Sequence, residues 1–343
     1  MRLTDKIRGW LGLPKSVQTS TAPRVRGRVD HVVILDGTLS SLTPGSETNA
    51  GQTYRLLCGC PGSAQLSIRY EQGTQWRTWR DAIAVAEGRG INRQIRRAYG
   101  FIASRYKPGD RIFLLGYSRG AYAVRSLAGV IDRVGLLRSE CATERNIRQI
   151  YRHYQLSPDS MAANAFAREH CHERVEIEMV GVWDTVKALG NRLPVMWRFA
   201  DAAHEFHSAK LGDHIKHGYQ ALAMQETREA YEPILWVTSP EYHGVVEQVW
   251  FKGAHSDIGG QIEAFEAARP LANIPLVWML EKLEGCDVKL PSGWQEGFEQ
   301  DVSAPSIGTW RGWGKLFWFR RKRVIGGDVS ESVHVTAAAA ESS

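Results

Sequence analysis

A chain of 343 residues with 43% apolar composition can bury one large core or two modest ones. Its net charge of +6 comes with no zinc-finger spacing and no nucleic-acid module signature, so nucleic acid is not an expected partner. No apolar run approaches the roughly 20 residues that a membrane span needs, and the start, "MRLTDKIRGWLGLPK", is too interrupted for a secretory signal. These features predict a protein that stays in the cytoplasm of the producing cell or leaves it by a non-classical route. The five cysteines form no disulfide framework and read as reduced thiols.

Residues 1–28 read as a flexible basic tail, because "PKSVQTSTAPR" is polar, proline-containing and aperiodic. The catalytic domain is expected over 29–326. "HVVIL" (31–35) is a short β-branched apolar run, a buried strand that ends at the turn "DGT". "LSIRYE" (66–71) predicts a second strand. In "INRQIRRAYGFIASRY" (91–106), Ile91, Ile95, Ala98, Tyr99 and Ile102 recur at helical spacing, with arginines on the other face. "KPGD" breaks that helix, "RIFLLG" (111–116) is a buried strand, and a helix follows from about Arg119 to Val134. Strand, helix, strand, helix predicts parallel pairing with crossovers.

Residues 140–173 are expected to be a helical excursion. "RVEIEMVGVW" (174–183) predicts a strand, 190–230 mainly helix and loop, "PILWVT" (233–238) and "VEQVWFKGA" (246–254) two late strands, and "LANIPLVWMLEKLEG" (271–285) a helix. Residues 327–343 are expected to fray.

"GYSRG" places Ser118 between Gly116 and Gly120, with an apolar strand before it and a helix after it. That context suits a sharp strand-to-helix turn that projects a nucleophilic hydroxyl from the sheet edge. The helix N-terminus favours developing negative charge, and the Arg119 backbone N–H is a candidate oxyanion donor. A base and an orienting acid must then follow, in the order Ser, acid, His. Asp184 ends one apolar strand and His255 another, so both lie where the carboxyl ends of parallel strands converge. Asp257 stays open as an alternative acid. The second oxyanion donor is expected from the early loop, on the Thr38 backbone amide, with Gly37 and Asp36 as supporting residues. His204 with His207, and His214 with His217, have i,i+3 spacing but no third ligand. No metal or cofactor is expected.

The segments "LDGT", "TN" (48–49), "INRQIRRAYGFI", "YKPGDRIFLLGYSRGAYAVRSLAGVI", "GVWDTVKALG", "EQVWFKGAHSDIGG" and "PLVWMLEKL" together resemble an α/β-hydrolase domain family typified by the class-one lipase effectors of bacterial type VI secretion. The resemblance spans roughly residues 30 to 330. It implies an α/β-hydrolase-like fold, a mainly parallel central sheet flanked by helices with helical insertions. It also implies a Ser–Asp–His hydrolase of ester bonds, in some members those of phospholipids. Nucleophile, acid and base fall on Ser118, Asp184 and His255, and secretion machinery or an immunity protein are the implied partners. The chain departs from the family pattern at "YEQGTQW" (70–76) and "GGQIEA" (259–264), and it lacks a long membrane-anchoring domain, which predicts a minimal, housekeeping or standalone member. A soluble short-chain esterase, or an inactive membrane- or protein-binding module on the same fold, are the alternatives. "IGTWRGWGKLFWFRRKR" (307–323) sets Trp310, Trp313, Phe317, Trp318 and Phe319 beside Arg320, Arg321, Lys322 and Arg323, a pattern suited to peripheral membrane contact.

Overall fold

The computed structural model describes residues 27–60, 65–73, 89–186, 211–263, 265–310 and 319–341. Its strands are β1 (Asp30–Leu35), β2 (Leu66–Glu71), β3 (Arg111–Tyr117), β4 (Ile177–Trp183), β5 (Ile215–Ala223), β6 (Val245–Phe251) and β7 (Glu331–Val333). They form one sheet in the order β2-β1-β3-β4-β5-β6-β7, every neighbouring pair parallel. The helices are α1 (Asn49–Cys58), α2 (Arg89–Ala103), α3 (Arg119–Arg133), α4 (Glu144–Leu156), α5 (Met161–His170), α6 (His255–Gly259), α7 (Arg269–Gly285) and α8 (Val335–Glu341). This is a mainly parallel sheet flanked by helices, in keeping with an α/β-hydrolase-like fold.

The central strands are continuous apolar runs because both their faces are covered. Along β1, Val33 and Leu35 point to the layer that holds α2, α3 and α4, while Val32 and Ile34 point to the layer that holds α1 and α7. On α2, Ile91, Ile95, Ala98, Tyr99 and Ile102 are all buried, as their spacing predicts. The register then sets the site. Leu35 lies opposite Gly116, Tyr117 opposite Trp183, and Trp183 opposite Ala221. Asp36, Ser118 and Asp184 therefore leave the sheet side by side.

Three expectations are corrected. Within 190–230, residues 215–223 are β5, an interior strand; residues 187–210 lie outside the described residues. "IKHGYQALA" hides its nature because it contains Lys216, His217 and Gln220. Gln220 is nonetheless fully buried, accepting from Arg125 Nη1 (3.1 Å) and Thr185 Oγ1 (3.2 Å). "PILWVT" is not a ladder strand. The Gln248 side chain accepts from Trp236 N (2.7 Å) and donates to Trp236 O (2.9 Å), taking the place of a strand partner. Residues 331–341 do not fray, since β7 pairs with β6, Glu331 accepts from Trp250 Nε1 at 2.8 Å, and α8 follows. A three-residue strand is too short for periodicity to reveal. Residues 1–26 of the expected tail lie outside the described residues.

Candidate active site

Ser118 sits between β3 and α3 with φ 57° and ψ −120°. A non-glycine residue in this region is strained, and surrounding structure must hold it there. Its N–H donates to Trp183 O at 3.0 Å, and its carbonyl accepts from Tyr122 N at 3.2 Å. The start of α3 also presses on β1: a Cβ on Gly120 would lie 2.0 Å from Leu35 O. The turn is thereby pinned from β1 and β4.

Asp184 follows β4, with φ 42° and its N–H donating to Ala221 O at 2.8 Å. His255 opens α6 directly after β6. The fold brings the three side chains into one hydrogen-bonded chain. His255 Nδ1 is 2.6 Å from Asp184 Oδ2, and His255 Nε2 is 2.9 Å from Ser118 Oγ. A proton on Nδ1 satisfies the carboxylate and leaves Nε2 to accept from the serine hydroxyl. Asp184 and His255 are buried, while Ser118 keeps 8% of its surface exposed.

The Asp184 carboxylate takes four hydrogen bonds. Besides His255, it accepts from Ala223 N (3.1 Å), Arg323 Nη1 (2.6 Å) and Arg323 Nη2 (2.9 Å). Burial alone would push its pKa up. The Arg323 charge and the bonds from His255 and Arg323 outweigh that and hold it far below the usual carboxylate range. A second ion pair lies behind His255. Glu226 accepts from His255 N (3.2 Å) and pairs with Arg228 at 2.6 Å. Burial opposes ionisation of Glu226, but Arg228 more than compensates and its pKa is lowered. The rings of Tyr117 and Tyr231 lie 5.0 and 4.8 Å from the imidazole.

The "DGT" loop runs against the Ser118 turn. A Cβ on Gly37 would meet the Tyr117 ring at 2.6 Å and Ser118 Cβ at 3.4 Å, so glycine permits the approach. Gly37 is thus carried beside Ser118, and the carbonyl of the next residue, Thr38, accepts from Gln261 Nε2 at 3.2 Å. Arg119 N belongs to the first turn of α3, where amides have no intrahelical partner. Asp257 does not orient His255. Its carboxylate accepts from Ala254 N (2.7 Å), Ser306 Oγ (2.5 Å) and Ile307 N (2.7 Å), shaping the loop that carries the histidine. Both segments that depart from the family pattern touch this loop system. Gln261 also bonds Tyr117 OH (3.3 Å), and Tyr70 OH donates to Asp36 Oδ2 (2.6 Å).

Asp36 accepts from Gly37 N, Thr48 Oγ1 and Tyr70 OH, each at 2.6 Å. Burial outweighs these bonds and pushes its pKa up to about 6. The folded state then holds this proton more tightly than the unfolded chain. The resulting stabilisation is complete below about pH 4 and is lost as pH rises through about 6. Asp36→Asn is expected to flatten the stability curve between about pH 4 and 7 relative to the parent, a difference of up to about 3 kcal/mol. Denaturant midpoints across that range check it, and parallel slopes would refute it.

Sequence reasoning missed Arg323, Glu226, Arg228 and Gln261. The only signal for Arg323 was the basic run, which suggested a lipid-facing surface instead. Three of the four cations of that run are engaged by the protein itself. Arg320 stacks on Trp310 at 4.0 Å and donates to Thr309 O at 3.2 Å, Arg321 pairs with Glu232, and Arg323 is buried against Asp184. The protein's own acceptors use these guanidiniums. Trp310 (62%) and Phe319 (42%) are exposed, while Trp313, Phe317 and Trp318 lie outside the described residues. His214 and His217 flank the start of β5 rather than a helix, and His217 Nδ1 is 2.8 Å from Glu178 O. His204 and His207 are outside the described residues, among which no group of three His, Cys, Asp or Glu side chains could hold a metal ion.

Residues 30–282 match the family model described as T6SS, Phospholipase effector Tle1-like, catalytic domain. The chain belongs to this Tle1-like family. It is 30% identical to the uncharacterized protein YEL023C of Saccharomyces cerevisiae over 186 residues, covering 46% of this chain and 27% of that protein. Among solved structures, an uncharacterized protein from Pseudomonas aeruginosa is 17% identical, with a TM-score of 0.48, covering 80% of this chain and 49% of that one. The Tle1 effector bound to the VgrG spike of the type VI secretion system is 16% identical, with a TM-score of 0.33, covering 68% of this chain and 51% of that one. The Tle1-like chain described here therefore spans about half the length of the solved structures it matches and about a quarter of the yeast protein. Ser118, Asp184 and His255 all fall inside the matched residues; Arg323 falls beyond them.

Proposed function

We propose that this Tle1-like domain is a serine hydrolase that cleaves the acyl ester bonds of phospholipids, with Ser118 as nucleophile, His255 as base and Asp184 as orienting acid. The observation that carries the reading is the unbroken chain from Ser118 Oγ through the His255 ring to Asp184, at 2.9 and 2.6 Å. Both lengths are within productive hydrogen-bond reach. The family's description supports the lipid substrate.

In this mechanism Ser118 Oγ attacks the acyl carbon while its proton passes to His255 Nε2. The carbonyl oxygen becomes an oxyanion, held by the backbone N–H groups of Arg119 and Thr38. Collapse of the tetrahedral intermediate expels the alcohol, which takes the proton from His255. Water, deprotonated by the same nitrogen, attacks the acyl-enzyme, and collapse returns the serine and releases the fatty acid. Asp184 keeps the ring in the required tautomer and offsets the imidazolium charge as it forms. The exposed Trp310 and Phe319 offer an apolar contact for a lipid surface. A secretion-spike partner belongs to the same proposal, on the family's description as an effector domain. No helix among the described residues is long and apolar enough to cross a membrane.

The test is covalent labelling followed by substrate comparison. A fluorophosphonate probe should add one adduct at Ser118, and Ser118→Ala should abolish it with the fold retained. Undiminished labelling of that variant would overturn the nucleophile. Fatty acid release from phospholipid vesicles should exceed turnover of p-nitrophenyl butyrate; the reverse order would favour the soluble-ester reading.

A further inference from the structure

We propose that Arg323 is a positioning residue of this site, which locks the Asp184 carboxylate in one orientation through a two-pronged ion pair and offsets its charge, so that the Asp184–His255 hydrogen bond keeps one geometry and no unbalanced charge is left beside the ring. The inference rests on the Ser118–His255–Asp184 reading above.

The guanidinium is built into place. Nη1 donates to Asp184 Oδ1 (2.6 Å) and Ala223 O (2.9 Å), and Nη2 donates to Asp184 Oδ2 (2.9 Å) and Tyr231 O (2.6 Å). All four terminal N–H groups are thereby used, and the side chain is only 5% exposed. A planar fork holds a carboxylate in one orientation, which a point charge cannot do. The segment carrying it is anchored to the loop after β5, with Arg321 N donating to Thr227 O (2.7 Å) and Glu229 N to Phe319 O (3.1 Å). Arg323 is thus delivered from beyond the family-matched residues to the back of the acid.

The charges that face the imidazole explain the electrostatic part. Asp184 reaches it from the end of β4, and Glu226 from the loop after β5 through His255 N. Each acid is neutralised by its own guanidinium, Arg323 and Arg228. On α6 itself, Asp257 is turned toward Ala254, Ser306 and Ile307. The rings of Tyr117 and Tyr231 pack against the imidazole, Asp36 lies within electrostatic reach of Tyr117, and Arg119, at the start of α3, within reach of Tyr231. Removing Arg323 leaves one unbalanced negative charge beside the ring. That favours the imidazolium, which cannot accept the serine proton.

The test is the pH profile of kcat/KM on p-nitrophenyl butyrate for the parent, Arg323→Gln, Arg323→Lys and the control Arg321→Gln. Arg323→Gln should move the acid limb upward by about one pH unit and lower the plateau. Arg323→Lys should keep the acid limb near the parent's, since the charge remains, but not recover the plateau, since the fork is lost. Arg321→Gln, which loosens the same segment, should leave the limb in place. A merely structural Arg323 would lower the plateau or the Tm of Arg323→Gln with the limb unmoved, and that result overturns the proposal. Should Arg323→Gln fail to fold, Arg323→Lys decides: a limb displaced upward, or an unchanged plateau, overturns it. Fluorophosphonate labelling of the same samples separates the two readings. A parent unlabelled at Ser118 overturns both; a labelled parent with an unmoved limb overturns only the role of Arg323.

Discussion

Asp184→Asn is expected to lower kcat/KM by about 10³–10⁴-fold and to cost about 3–5 kcal/mol of stability. The activity loss follows from tautomer. An asparagine that keeps Arg323 and Ala223 N satisfied with its oxygen turns an N–H toward His255 Nδ1. The ring then carries its proton on Nε2, the nitrogen that must accept from Ser118. The stability loss has a different source. Arg323 is buried, and an amide oxygen cannot balance its charge. The double variant Asp184→Asn/Arg323→Gln should therefore recover part of the lost stability and none of the activity. Denaturant midpoints and kcat/KM for the two single variants and the double check both statements. Additive stability losses would refute the coupling, and a fully active Asp184→Asn would refute the orienting role.

Gly120→Ala should be nearly as damaging, for a purely steric reason. Its Cβ would lie 2.0 Å from Leu35 O and 2.6 Å from Asp36 O, both backbone atoms that no rotamer change can move away. The start of α3 would have to withdraw from β1. A loss of about 3 kcal/mol or more is expected. The same withdrawal relaxes the strained Ser118, so fluorophosphonate labelling should slow by about 100-fold. Gly285→Ala is the control, since nothing lies within 4 Å of its Cβ position and its φ is unexceptional; it should change stability by no more than about 1 kcal/mol. If the two variants behaved alike, the close approach of α3 to β1 would not be what holds the turn.

Much of the fold was legible because burial on both faces writes itself into composition. β1 and β3 are unbroken apolar runs, and α2 repeats its apolar residues at helical spacing. Where a strand carries polar side chains satisfied from far away, the signal vanishes. Gln220 in β5 bonds Arg125 and Thr185, and Gln248 in β6 bonds the backbone of Trp236, and neither contact can be seen in a local window. Charge misled in the same way. Four adjacent cations near aromatics look like a surface, and Arg321 and Lys322 are exposed, yet the Arg323 side chain is buried against Asp184.

The amino-acid sequence by itself determined that Ser118, Asp184 and His255 each end an apolar run, and that the runs alternate with helices into a parallel sheet. A parallel sheet gathers strand ends at one edge, so these candidates could be named without coordinates. Only the tertiary structure decided what surrounds them: that Asp257 braces a loop, that Glu226 and Arg228 back His255, and that Arg323 crosses from the far end of the chain to close on Asp184. Such partners are chosen by distance and by the need to neutralise buried charge, and neither leaves a period or a spacing in the chain.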